Sequence, residues 1–190
     1  ARTNYESLAV EGVDTSNFVE VGKKRELLQT AVEPIEIRPS SGGEWQIGYC
    51  FNATLAMPPS DPGLKEFNQP GNYLDLLKKP SNGRLADWAT NARSASIDED
   101  VVRVIYNGFG HDATGMQEKF GLKDWQFINA TQLAVWYYTD NRNGYEDVPN
   151  RVMSANEHKA FLALTGQESY PLAEPPAGTT LDIYENVNKE

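Results

Sequence analysis

At 190 residues, with 39% hydrophobic and 23% charged residues, the chain is long enough for one domain, or one domain with a lobed insertion, and has the composition of a globular protein. A formal net charge of -10 excludes nucleic acid or an anionic membrane as the expected partner, because both attract Lys/Arg clusters that are missing here. The single cysteine, Cys50, excludes an internal disulfide and a thiolate-rich metal site, and the two histidines, His111 and His158, lie far apart, so no metal and no cofactor is expected.

No stretch approaches the roughly 18 apolar residues of a membrane span. Ala1-Arg2-Thr3-Asn4 lacks the layout of a signal peptide, so the chain reads as a mature or excised fragment without membrane insertion. Val32 to Arg38 alternates apolar with polar residues, Pro39-Ser40-Ser41-Gly42-Gly43 turns the chain, and Trp45 to Phe51 follows, which predicts a β-hairpin. In the second arm Trp45, Ile47, Tyr49 and Phe51 share one face, so Cys50, with Gln46 and Gly48, is expected to point away from the main apolar stripe. Pro58 to Pro80 is dense in turn formers, and the apolar piece Tyr73 to Leu77 reads as one or two helical turns between loops.

Ser96-Ile97-Asp98-Glu99 reads as a capping box ahead of Val101, Val102, Val104 and Ile105. Ser154-Ala155-Asn156-Glu157 reads as another ahead of Phe161, Leu162 and Leu164, with Gly166 as the stop. Between them a helix is predicted over Ala130 to Thr139, with Asn129 as N-cap, and Thr179 to Glu185 alternates as a closing strand. Strands, then helices, then a strand predict an α+β fold in one domain over 1–190. It has a β-sandwich or barrel-like part, with strands mainly in 1–57 and 179–187, and a helical subdomain over about 60–166.

The chemistry centres on Cys50 and Gln132. A thiol and a carboxamide held together can condense with loss of ammonia into an internal thioester, provided the fold supplies proximity and donors for the oxyanion. With Gln132 expected near a helix start, the backbone N–H groups of Asn129, Ala130 and Thr131 are the expected donors. Tyr49 and Phe51 beside the sulfur, Trp136 on the glutamine helix, and Tyr106 and Phe109 in a turn are expected to exclude water. His111 and Asp112 are candidate bases for an incoming lysine amine, of which under roughly 0.1% is neutral at pH 7. The amide product outlasts any noncovalent complex, so the reaction is expected once per molecule.

Tyr49-Cys50-Phe51 and Thr131-Gln132-Leu133-Ala134-Val135-Trp136 resemble the motifs of thioester domains in wall-anchored surface adhesins of Gram-positive bacteria, and Ile105-Tyr106-Asn107-Gly108-Phe109 resembles a third segment of that family. The likeness runs from about Trp45 to Asp140. One departure is Gly110, where family members often carry proline. The resemblance implies a β part and a helical part bridged by a Cys50–Gln132 thioester, and a secreted protein of the bacterial cell surface or cell wall. It also implies capture of a host extracellular protein through lysine, fibrinogen being the target of some members.

Two other readings compete. Cys50 could serve a papain-like or transglutaminase-like enzyme with His111 or His158 as base, although the local signature of such enzymes is absent. Alternatively the chain is a noncovalent binding module with an inert core cysteine. His158, on an amphipathic helix, reads as structural or solvated. The sequons Asn52-Ala53-Thr54 and Asn129-Ala130-Thr131 read as coincidental because they overlap the two motifs.

Overall fold

Alternating segments distant in the chain pair into one closed antiparallel barrel. The computed structural model describes residues 6–10, 18–23, 35–39, 46–53, 76–78, 84–144, 153–179 and 181–186. The strands are β1 (Glu6–Val10), β2 (Phe18–Lys23), β3 (Ile35–Pro39), β4 (Gln46–Cys50), β5 (Leu76–Lys78) and β6 (Leu181–Asn186). They run around the barrel in the order β1-β4-β3-β2-β5-β6. Closure gives each of the described strands two neighbours.

The expected hairpin is present, with Ile35 opposite Gly48 and Ile37 opposite Gln46. The closing strand is present as β6, which pairs with β1 over Leu181 to Glu185 and with β5 over Tyr184 to Asn186. Strand β5 departs from the expected helical turns around Tyr73 to Leu77. Its three residues gain ladder partners on both sides, Phe18 and Val19 on one and β6 on the other, and such nonlocal pairing outweighs local propensity.

The residues divide into two compact units, one holding the strands (Ala1–Leu28, Glu33–Gly83 and Thr180–Glu190) and one holding the helices (Gln29–Val32 and Arg84–Thr179). After a 3-10 turn at Leu85–Trp88, the helices are α1 (Asp98–Asn107), α2 (Met116–Lys119), α3 (Asp124–Thr139) and α4 (Ala155–Leu164). Helix α3 packs against both α1 and α4 and is buried at every residue from Phe127 to Val135. A helix covered on all sides is expected to be apolar throughout, so the buried Asn129, Thr131 and Gln132 stand out in it.

The caps differ from expectation at one helix and match it at another. At α1 the Ser96 box does not form: Ile97 occupies the N-cap position, fully buried, and Ser96 is exposed one residue too early. The Asp98 carboxylate instead accepts the Leu85 N–H at 3.2 Å, a charge favoured at a helix N-terminus. At α4 the box forms as read, with the Glu157 N–H donating to Ser154 Oγ at 3.2 Å and the Ser154 N–H to Glu157 Oε1 at 3.4 Å. Its end is a Schellman motif, in which Gly166 at φ 70° donates to Ala163 O at 3.2 Å and Gln167 N–H to Leu162 O at 2.9 Å.

Long-range polar clamps hold the helical unit. Arg93 donates from Nε to Tyr137 O at 2.7 Å, and its guanidinium lies 3.6 Å from the Tyr137 ring centroid, placing positive charge at the carboxyl end of α3. Tyr138 donates to Thr165 O at 2.9 Å, and burial pushes its phenol up to about 12. The buried Asn107 donates to Arg103 O at 2.9 Å and Ala173 O at 2.8 Å, and accepts the Ala173 N–H at 2.9 Å. Asn107→Ala should therefore lower the unfolding free energy by about 2 kcal/mol in a denaturant titration. It should also speed proteolysis around Ala173; an unchanged midpoint would show the clamp to be energetically idle.

Candidate functional site

The cysteine motif lies at the end of β4. Cys50 is the last residue of the strand, paired with Ser7 of β1, and the chain bends at Phe51. Tyr49 and Cys50 are each 2% exposed and Phe51 is fully buried, whereas Ile47 is only half-buried. Alternation puts Tyr49 and Cys50 on opposite faces, so both faces are covered at this end of the strand, and the expected contrast between an apolar stripe and a second face disappears. The thiol donates to Asn52 O at 3.5 Å. A thiol at a strand end lacks the helix N-terminus that lowers cysteine pKa values.

The glutamine motif lies on α3, which corrects the expected position of the glutamine. Gln132 lies mid-helix, not near a start, because α3 begins at Asp124, where the Lys123 N–H donates to Gln126 Oε1 at 2.8 Å. Asn129 imitates an N-cap in sequence but sits past the first turn. The backbone N–H groups of Asn129, Ala130 and Thr131 are therefore committed to the i→i−4 ladder and do not serve as the expected oxyanion donors. Gln132 itself is 2% exposed.

The turn after α1 is fastened to the residue beside Gln132. Thr131 Oγ1 accepts the Phe109 N–H at 3.0 Å and donates to Phe127 O at 2.7 Å. Gly108 allows this approach: a Cβ there would lie 2.7 Å from Thr131 Oγ1 and 2.8 Å from Val104 O, and would overlap Thr131 Cγ2. Phe109 is half-buried and meets Phe127 edge-on at 6.3 Å. Gly110 has φ 109°, a conformation closed to proline, and the Asp112 N–H closes the turn onto Gly108 O at 2.7 Å. The departure from the family pattern thus goes with a glycine-specific backbone.

The two candidate bases have different surroundings. His111 is exposed over much of its surface but its ring lies 5.7 Å from that of Tyr106, and partial burial lowers its pKa, which favours the neutral ring. Asp112, at φ 47°, is part of the turn framework, accepting the Gln117 N–H at 3.4 Å. His158 is exposed and stacked on Phe161 at 6.3 Å, as the structural reading expects. Both sequon asparagines are buried, Asn52 at 1% and Asn129 at 2% exposure, which fits coincidental sequons.

Trp136, four residues beyond Gln132, is half-buried, and its Nε1 is buried without a hydrogen-bond partner, as is Asn129 Oδ1. The sequence reading missed the Thr131 hydroxyl as an anchor, the contact surface of Gly108 and the Asn129 side chain. The available signal was three polar residues inside the otherwise apolar run from Phe127 to Val135. Among the described residues no group of three or more His, Cys, Asp or Glu is placed to hold a metal ion, and no helix is long and apolar enough to cross a membrane.

Comparison with known proteins bears on this pair of motifs. The profile of the family described as Thioester domain matches residues 47–169, more than half of the chain. The pilus tip adhesin Cpa of Streptococcus pyogenes is 27% identical over 115 residues, which cover 56% of this chain and 15% of that protein. Among solved structures, the N-terminal thioester domain of a surface protein from Clostridium perfringens matches with a TM-score of 0.64 at 22% identity, covering 91% of this chain and 99% of that one. The N-terminal thioester domain of the fibronectin-binding protein SfbI from Streptococcus pyogenes matches with a TM-score of 0.57 at 18% identity, covering 90% and 98%. At these identities the structural likeness shows a shared fold.

Proposed function

This chain belongs to the thioester-domain family, and from that membership we propose that Cys50 and Gln132 condense into an internal thioester that reacts once with a lysine amine on a host surface protein. The observation that carries the reading is that the family match spans both residues, while each is 2% exposed. Burial suits a stored electrophile, since a thioester lasts only where water is excluded. In this reading the strand and helical units form one α+β domain bridged by the bond. Tyr49, Phe51, Tyr106, Phe109 and Trp136 shelter it, and His111, whose neutral form burial favours, takes up the proton of the incoming amine.

The adhesin relative, which this chain matches over 15% of its length, and the surface-protein neighbours support a role as a non-enzymatic binder at a bacterial cell surface. The partner is then a host extracellular protein presenting a lysine, with fibrinogen as the first to test. No observation favours a turnover enzyme using Cys50, whose thiol sits at a strand end.

Intact mass of freshly purified protein is the test. It should be lighter than the sequence by one ammonia, the thiol should resist alkylation until the fold is opened, and methylamine should add at Gln132 while releasing one thiol. Incubation with plasma should then yield an adduct that survives boiling in detergent. A full calculated mass with a freely alkylated Cys50 would overturn the reading.

A further inference from the structure

Among the described residues, three buried side-chain polar atoms have no hydrogen-bond partner: Asn129 Oδ1, Trp136 Nε1 and Asp140 Oδ2. The last is compensated by Arg142, whose Nε lies 3.6 Å away. The other two sit three residues before and four residues after Gln132 on the same helix, the spacing that places side chains on one face. Buried polar groups are nearly always satisfied, and an exception calls for an explanation. Indole Nε1–H is only a donor and a carboxamide Oδ1 only an acceptor, so the pair offers one of each around Gln132.

Aminolysis of a thioester needs that combination. The amine lone pair attacks Gln132 Cδ, and negative charge builds on the acyl oxygen. The tetrahedral adduct collapses with cleavage of the bond to Cys50 Sγ, the thiolate departs, and the nitrogen gives up one proton, leaving an amide and a thiol. The acyl oxygen needs a donor and the amine N–H groups need an acceptor. Backbone donors on α3 are committed to the helical ladder at this position. Helical side chains lean toward the helix N-terminus, which carries Trp136 back over the turn holding Gln132.

We propose that Trp136 and Asn129 are the groups that act on the reacting acyl centre: Trp136 Nε1–H binds the acyl oxygen of Gln132, and Asn129 Oδ1 accepts a hydrogen bond from the entering amine. This rests on the thioester reading above. It adds a chemical task to Trp136 beyond shelter, and gives one to Asn129.

The test uses the whole chain and methylamine, with intact mass read over time. Trp136→Phe keeps an aromatic ring and loses the donor, and should slow aminolysis roughly 100-fold with an unchanged thermal midpoint. Asn129→Ala should slow it roughly 10-fold. Replacing Trp136 by benzothienylalanine, which keeps the indole shape without the N–H, covers the case in which Trp136→Phe fails to fold, and should show the same slowing. In labelled protein the Trp136 indole N–H should exchange with solvent faster once methylamine opens the bond and the acyl oxygen leaves its donor. A wild type that never loses ammonia defeats the thioester reading itself. A wild type that does lose it, beside variants reacting at its rate, defeats only the roles given to Trp136 and Asn129.

Discussion

Cys50→Ala should restore the full calculated mass, abolish detergent-resistant adducts with plasma protein, and lower the unfolding free energy by about 4 kcal/mol. The last value follows from the closed loop. The proposed covalent link between Cys50 and Gln132 would constrain the unfolded chain as a disulfide closing a comparably long loop does, and the chain-entropy account puts that near 4 kcal/mol. Removing the sulfur also deletes packing at a site that is 2% exposed, so the mutant alone does not separate bond from volume. Wild-type protein opened by methylamine supplies the missing arm, since it keeps the sulfur and loses only the link. Both species should melt well below the closed protein, the alanine variant slightly lower than the opened wild type. Persistent adducts in Cys50→Ala would mean that another residue is the electrophile. Equal stability of closed and opened wild type would mean that the link does not constrain the unfolded chain.

What the sequence made legible divides by the range of the forces involved. The β3–β4 hairpin, the closing strand β6 and the Ser154 box of α4 rest on alternation, a turn and a four-residue cap, all local, and all are present. Strand β5 is held by partners at Phe18, Val19 and Tyr184 to Asn186, far along the chain, and nothing within Tyr73 to Leu77 announces it. The start of α3 was misplaced because Asn129 looks like a cap. The helix instead continues back to Asp124, and the buried Phe127 and Ile128 belong to its core-facing run. That error carried into the site, because it put Gln132 beside free backbone donors that the actual helix does not offer. Cys50 and Gln132 are proposed from their motifs, both of which lie within the family match. The Thr131 hydroxyl, the bare Cα of Gly108 and the unpartnered atoms of Asn129 and Trp136 were not legible, since whether a polar atom is satisfied depends on residues that sequence spacing does not reveal.

Gly108→Ala tests whether the turn governs the glutamine helix. The backbone at Gly108 is ordinary, with φ −85°, so alanine meets no torsional penalty and any effect is steric. The added methyl would approach Val104 O at 2.8 Å and Thr131 Oγ1 at 2.7 Å, distances at which something must move. Val104 O already accepts the Gly108 N–H at 2.7 Å as the last bond of α1, so the side free to give is Thr131 and its bond to the Phe109 N–H. Overpacking of this kind costs about 1 to 3 kcal/mol, and separation of the Phe109 N–H from its acceptor adds about 1 kcal/mol more. We therefore expect a loss of about 3 kcal/mol in a denaturant titration. A smaller fraction of molecules should also lack ammonia, because Thr131 immediately precedes Gln132. Thr131→Ser removes Cγ2, the atom of worst overlap, and keeps the hydroxyl, so in the Gly108→Ala background it should recover part of both losses even though it is mildly destabilising alone. Coupling of that sign identifies the contact between the turn and α3 as the cause. Strict additivity of the two substitutions would place the damage elsewhere in α1, and would leave the turn as packing without influence on the acyl group.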